Sequence, residues 1–206
     1  MTDSQNAIAP DDRALAALTH LSGLAGYVIP LGGILVPIII WVVKSDSKVI
    51  TSVAKQALIL NLAVFLLVAA TALFGARLYG SAAGLHAGFV AGTALLPFAY
   101  GHAASMDMLL AATVTLAIGL AALRLLEISG RSAVVAAAIA AALATLAKGP
   151  LGLLLPGLVV GGYLLATREW RRLRELLSPT ALVAFVLVAA PWYVAITLDQ
   201  GRRFVD

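Results

Sequence analysis

Residues 132–167 read SAVVAAAIAAALATLAKGPLGLLLPGLVVGGYLLAT, two apolar runs separated by Lys148, Gly149 and Pro150. The first run, 132–147, carries no charge and lacks the alternation of apolar and polar residues that a lipid-facing barrel strand requires. In lipid every backbone amide must be satisfied inside its own element, so an uncharged apolar run of this length reads as a helix. Gly149 and Pro150 mark a sharp, exposed turn between two such helices. The pattern recurs along the chain. Charge-free stretches run 14–43, 56–76, 78–106, 108–123, 132–147, 149–167 and 176–198, and one crossing of a hydrocarbon core takes about 20 residues.

Composition agrees. Of 206 residues, 62% are apolar and 12% charged, with a mean hydropathy of +1.00. A soluble domain carries about a quarter charged residues, and this chain has too few polar side chains to cover a water-facing surface. Disorder requires low hydrophobicity and high net charge, and is excluded. The fold expected is all-α: a polytopic integral membrane bundle of about seven or eight hydrophobic segments. With no cysteine, disulfides, thiolate metal sites and cysteine nucleophiles are excluded. The net charge of +4 is scattered between apolar runs, as the excess of Lys and Arg in cytoplasmic loops would produce, so no nucleic-acid partner is expected.

Three regions follow. Residues 1–13, MTDSQNAIAPDDR, form a polar, acidic tail, which has the wrong charge for a secretory signal. In residues 14–56, Pro30, Gly32, Gly33 and Pro37 interrupt the apolar run, leaving either two segments, 14–29 and 34–43, or one kinked span. The polar stretch 45–54, SDSKVITSVA, is expected at the surface. Residues 57–206 are expected to hold helices at 57–76, 81–99, 107–125, 132–147, 150–167 and 179–198. Gly84, Gly88 and Gly92, and again Gly157 and Gly161, fall four apart. That spacing lets helix backbones approach closely, within this bundle or against a membrane-protein partner. In REWRRLRELL, 168–177, Trp170, Leu173 and Leu177 share one face, the mark of a short interfacial helix.

If these six helices alternate, Arg77, Arg124, Arg131, Arg168, Arg171, Arg172 and Arg174 fall on one side and Lys148, Arg202 and Arg203 on the other. The arginine-rich side is then cytoplasmic in a bacterial inner membrane. Lys44, Lys48 and Lys55 refuse to sort: they precede 57–76 and fall on the outer side.

Few residues are equipped for chemistry. Asp107 opens an apolar run, and a carboxylate at a membrane rim is a functional candidate. It is equally a helix N-terminal acid stabilised by the dipole. Lys148, beside a Gly-Pro turn, reads alone as a lysine snorkelling to the interface, or as a ligand for a lipid phosphate. His102 lies five residues before Asp107 and could line the same mouth, while Arg202 and Arg203 could recruit phosphate or cap the last helix. His20, His86 and His102 have no partner at metal-ligand spacing, so no metal is expected. A channel or transporter would want polar residues converging at mid-membrane, and these helices are nearly featureless.

Three segments carry a resemblance: ALFGARLYGSAAGLHAGFVAGTALLPFAYGHAASMDMLLAA (72–112), LATLAKGPLGLLLPGLV (143–159) and VAAPWYVAI (188–196). In their order and spacing, residues 58–206 resemble part of a GT-C membrane glycosyltransferase of the 4-amino-4-deoxy-L-arabinose transferase and protein O-mannosyltransferase group. The resemblance implies a polyprenyl-phosphate-linked sugar as donor. It places Asp107 at the acceptor or sugar, and Lys148, helped by Arg202 or Arg203, at the carrier phosphate. The family's first external loop, which holds the catalytic base, has no counterpart here, so the expectation is a partial and inactive enzyme. Residues 12–56, with DRALAALTHLSGLAGYVIPLGGILVPIIIWVVKSDSKVI at 12–50, resemble a small Tic20-like membrane domain of unknown function. The alternative expectation is a non-catalytic membrane scaffold or assembly protein whose partners are membrane lipids and another membrane protein, docked through Gly84, Gly88 and Gly92.

Overall fold

The charge-free runs fold as helices, and no strand forms among the residues that the computed structural model describes, 10–27, 31–94 and 106–200. In chain order the helices are α1 (Pro10–His20), α2 (Gly32–Val43), α3 (Lys48–Tyr79), α4 (Ser81–Thr93), α5 (Met106–Leu125), α6 (Ser132–Lys148), α7 (Leu151–Thr167), α8 (Leu173–Leu176) and α9 (Pro179–Gln200). Short 3₁₀ turns occupy Leu21–Tyr27 and Trp170–Arg172. The chain is an all-α membrane protein. Helix α3, residues 107–125 of α5, and α9 are each long and apolar enough to cross a bilayer, while α2, α6 and α7 are shorter apolar helices.

Helix α3 begins nine residues before the expected start, so much of the polar stretch 45–54 lies inside its first turns. Charge had set the expected boundary, but a helix backbone tolerates lysine well. At 1.5 Å per residue its 32 residues span roughly 48 Å, more than the ~30 Å hydrocarbon core. The charge-free part, 56–76, is itself long enough to fill that core, with Lys48 and Lys55 before it and Arg77 after it.

The chain divides into two compact units, residues 1–66 with 92–108 and residues 67–91 with 109–206. In the first, the Leu21–Tyr27 turn packs on the start of α2. A Cβ on Gly32 would lie 2.5 Å from the Ala25 carbonyl oxygen, so only glycine fits there. Asn61, an amide in the apolar part of α3, donates to the Gly33 carbonyl at 2.7 Å and to Ser22 Oγ at 3.3 Å. Such an interhelical bond is worth about 1 kcal/mol in a membrane, and it ties α3 to the break between the 3₁₀ turn and α2. Lys55 lies over the Trp41 ring, 4.8 Å from its centroid, a cation–π contact that occupies one of the three unsorted lysines.

The second unit is arranged around α6. Its alanines, from Ala133 through Ala144, are buried on most of its circumference, and side chains this small let α7 and α9 pack along it. Gly152 of α7 sits against the Ala144–Thr145 backbone with no room for a side chain. The chain reverses through Gly149, whose φ of +63 favours glycine. A second hairpin joins α3 to α4 through Gly80, at φ +94. The Thr113 and Thr145 hydroxyls, in apolar surroundings, donate back to Leu109 and Ala141 carbonyls one turn earlier. Outward-facing Leu158, Leu165 and Leu187 are each more than half exposed, as a lipid-facing surface requires.

Candidate functional site

The residues singled out in the sequence do not assemble into one site. Asp107 is exposed in the first turn of α5, where its charge meets the positive end of the helix dipole. Lys148 is exposed at the last residue of α6, where a cation meets the negative end. The two belong to different units. His102, Arg202 and Arg203 lie outside the described residues. The His86 ring nitrogen Nδ1 is 2.7 Å from the Ala82 carbonyl oxygen, a bond within its own helix. Among the described residues no group of three or more His, Asp or Glu side chains is placed to hold a metal ion.

The glycine stripes part company. Gly84 and Gly88 are buried against α3: a Cβ on Gly84 would stand 2.5 Å from the Ala72 carbonyl oxygen, and one on Gly88 2.8 Å from the Ala72 Cβ. Their close approach is spent within the chain, and Gly92 follows near the end of the same helix, partly buried. At Gly157 and Gly161, where tight packing was equally expected, a Cβ would meet nothing within 4 Å among the described residues. They face open space.

That space is an apolar groove of about 340 Å³ between α5, α6, α7 and α9, lined in part by Ala117, Ala141, Gly157, Gly161 and Phe185. It is lined as well by α8, which follows the 3₁₀ turn as the expected short amphipathic segment. Leu173, Leu176 and Leu177 point into the groove, while Arg174, Glu175 and Ser178 line a neighbouring polar cavity of about 510 Å³ together with Arg124 and Arg131. Val134 lines both.

An ion-pair lattice builds this end. Arg172 donates from Nη1 to the Leu125 carbonyl at the end of α5, from Nη2 to Glu127 at 3.1 Å, and from Nε to Glu169 at 3.1 Å. Arg124 pairs with Glu175 at 2.5 Å, and its buried Nε has no hydrogen-bond partner. The chain leaves α5 and α7 through left-handed residues, Glu127 and Arg168, both at φ +59. The amides of Ile128 and Glu169 then return to the Leu123 and Leu164 carbonyls, a backbone C-cap. In the sequence these arginines carried only an orientation signal; the role of Arg172 as a strut between loops depends on partners 45 and 47 residues away, which periodicity does not reveal.

A family model described as the magnetosome magnetite crystal formation protein family (MamF/MmsF) matches residues 11–205. No curated protein and no solved structure matches the chain. The family match runs through both regions assigned above by resemblance and overturns those assignments. Residues 58–206 are not a partial GT-C glycosyltransferase, and residues 12–56 are not a separate Tic20-like domain. The polyprenyl-phosphate sugar, and with it the sugar-transfer roles that the resemblance gave to Asp107, Lys148, Arg202 and Arg203, rested on that resemblance and lose their support. The misleading segments are mostly Ala, Leu and Gly around a Lys-Gly-Pro turn. Close helix packing in lipid imposes that composition on unrelated proteins.

Proposed function

Because this chain belongs to the magnetosome magnetite crystal formation protein family, we propose that it is a non-catalytic integral membrane protein that organises lipid and neighbouring proteins where a magnetite crystal forms. The observation that carries this reading is the family match across residues 11–205. The helical architecture supports it. Most of the sequence is spent on apolar helices, and at one end of the second unit Arg124 pairs with Glu175 and Arg172 with Glu127 and Glu169, contacts that hold loops together. In this reading Asp107 and Lys148 are helix-terminal charges that fix α5 and α6 at the membrane interface. We place the chain as a multi-pass protein in a bacterial inner membrane, with the arginine-rich end of the second unit on the cytoplasmic side.

A fluorescent fusion of the full chain, expressed in a magnetite-forming bacterium, is expected to co-purify with crystal-bearing membranes collected magnetically. An even distribution over the cell membrane, with none on the crystal fraction, would overturn the proposal.

A further inference from the structure

The arginine-rich end carries more guanidinium groups than its carboxylates can pair. Between residues 124 and 178 the sequence places Arg124, Arg131, Arg168, Arg171, Arg172 and Arg174 against only Glu127, Glu169 and Glu175 on this side. All three carboxylates are engaged, Glu175 by Arg124 and the other two by Arg172. Among the described residues, no carboxylate lies within ion-pair distance of Arg131 or Arg174, and both side chains are exposed. These two guanidinium groups line the polar cavity, beside the Ser178 and Thr180 hydroxyls. The apolar groove adjoins it, sharing Val134 and separated by the two faces of α8. Glu175 lines the same cavity but is paired with Arg124, so a ligand that answers Arg131 and Arg174 and fills both spaces carries an anion at one end and hydrocarbon at the other.

We propose that this composite site binds one anionic glycerophospholipid. Its phosphate is held by Arg131 and Arg174, and one acyl chain lies in the groove over Gly157 and Gly161; the Ser178 and Thr180 hydroxyls bond one another at 3.3 Å, which leaves one O–H of the pair to donate to the phosphate from the side. Guanidinium groups suit phosphate because they offer a planar fork of donors, and basic pockets between membrane helices at the cytoplasmic face bind anionic headgroups. The missing side chains at Gly157 and Gly161 keep the groove floor open, and a groove of about 340 Å³ falls within the range of small-molecule sites. The assignment is independent of the mineral role: lipid selectivity can be tested on the purified chain alone.

The test is native mass spectrometry of the purified full chain with phosphatidylglycerol, phosphatidylcholine of the same acyl chains, and glycerol 3-phosphate. Phosphatidylglycerol is expected to bind about tenfold tighter than phosphatidylcholine or more, from two guanidinium groups near a membrane surface. The double variant Arg131→Gln/Arg174→Gln should lose that preference, while Arg77→Gln, an arginine outside the site, keeps it. Gly161→Leu should weaken binding of both lipids by filling the groove, and glycerol 3-phosphate should not displace the lipid. Circular dichroism checks that each variant is folded; should the double variant fail to fold, Arg174→Lys replaces it, with partial loss of the preference expected. Equal binding of the two lipids, a preference that survives both Arg174→Lys and the double variant, displacement by glycerol 3-phosphate, or a lipid-free dimer with the groove filled by a second copy would each overturn the proposal.

Discussion

Leucine at position 84 is expected to destabilise the protein strongly. A Cβ there meets the Ala72 carbonyl oxygen and the Ala76 Cβ at 2.5 Å and the Ala76 amide nitrogen at 2.6 Å. Two of those atoms are helical backbone, which cannot move aside without opening the hairpin between α3 and α4. Overpacking usually costs about 1–3 kcal/mol, and a leucine driven into backbone belongs at or above the top of that range. At a few degrees per kcal/mol for a chain of this size, the melting temperature of the detergent-solubilised protein should fall by roughly 10 °C. Gly157→Leu is the control, because a Cβ at that position meets nothing within 4 Å among the described residues; its melting temperature should stay within a few degrees of the unaltered chain. Equal losses in the two variants would show that Gly84 is not at a close helix contact.

The second large effect concerns Phe74 and Gly119. Phe74 is buried with Ala70 and Leu123, with Leu116 and Leu120 packed around them, and its ring covers Gly119 so closely that a Cβ there would overlap it. Phe74→Ala removes the ring and leaves a cavity, at a cost of about 3–5 kcal/mol. Gly119→Ala drives a methyl group into the ring, at about 1–3 kcal/mol. The two costs should not add. With the ring gone, the methyl group occupies part of the cavity, so the double variant should be no less stable than Phe74→Ala, a coupling of about 1 kcal/mol or more. Reversible unfolding in mixed detergent measures all four corners of the cycle. Additive losses would contradict the contact.

Much of the helical layout was legible because charge marks where a membrane helix leaves the lipid. Expected spans 107–125, 132–147 and 179–198 became Met106–Leu125, Ser132–Lys148 and Pro179–Gln200. The same signal failed at α3, where Lys48 and Lys55 lie within a helix that outruns the hydrocarbon. Glycine spacing identified surfaces capable of close approach but not which were occupied: Gly84 and Gly88 meet α3, whereas at Gly157 and Gly161 a Cβ meets nothing within 4 Å among the described residues. The contacts that hold each unit, Asn61 to Gly33, Gly119 beneath Phe74 and Arg172 to Leu125 and Glu127, join residues far apart in sequence. A single sequence read by period and charge does not carry such pairings. Function was the least legible, since the short apolar segments that suggested a sugar transferase record the demands of packing in lipid more than those of chemistry.

A membrane role in crystal formation without catalysis by Asp107 or Lys148 has its readout in crystal size. The measurement is the length distribution of magnetite crystals, by electron microscopy, in a magnetite-forming bacterium that lacks its own family member and expresses this chain. The unaltered chain and the Asp107→Asn/Lys148→Ala double variant are both expected to restore the distribution. No restoration by the unaltered chain, or restoration by it but not by a double variant that still reaches the membrane in equal amount, would contradict the account.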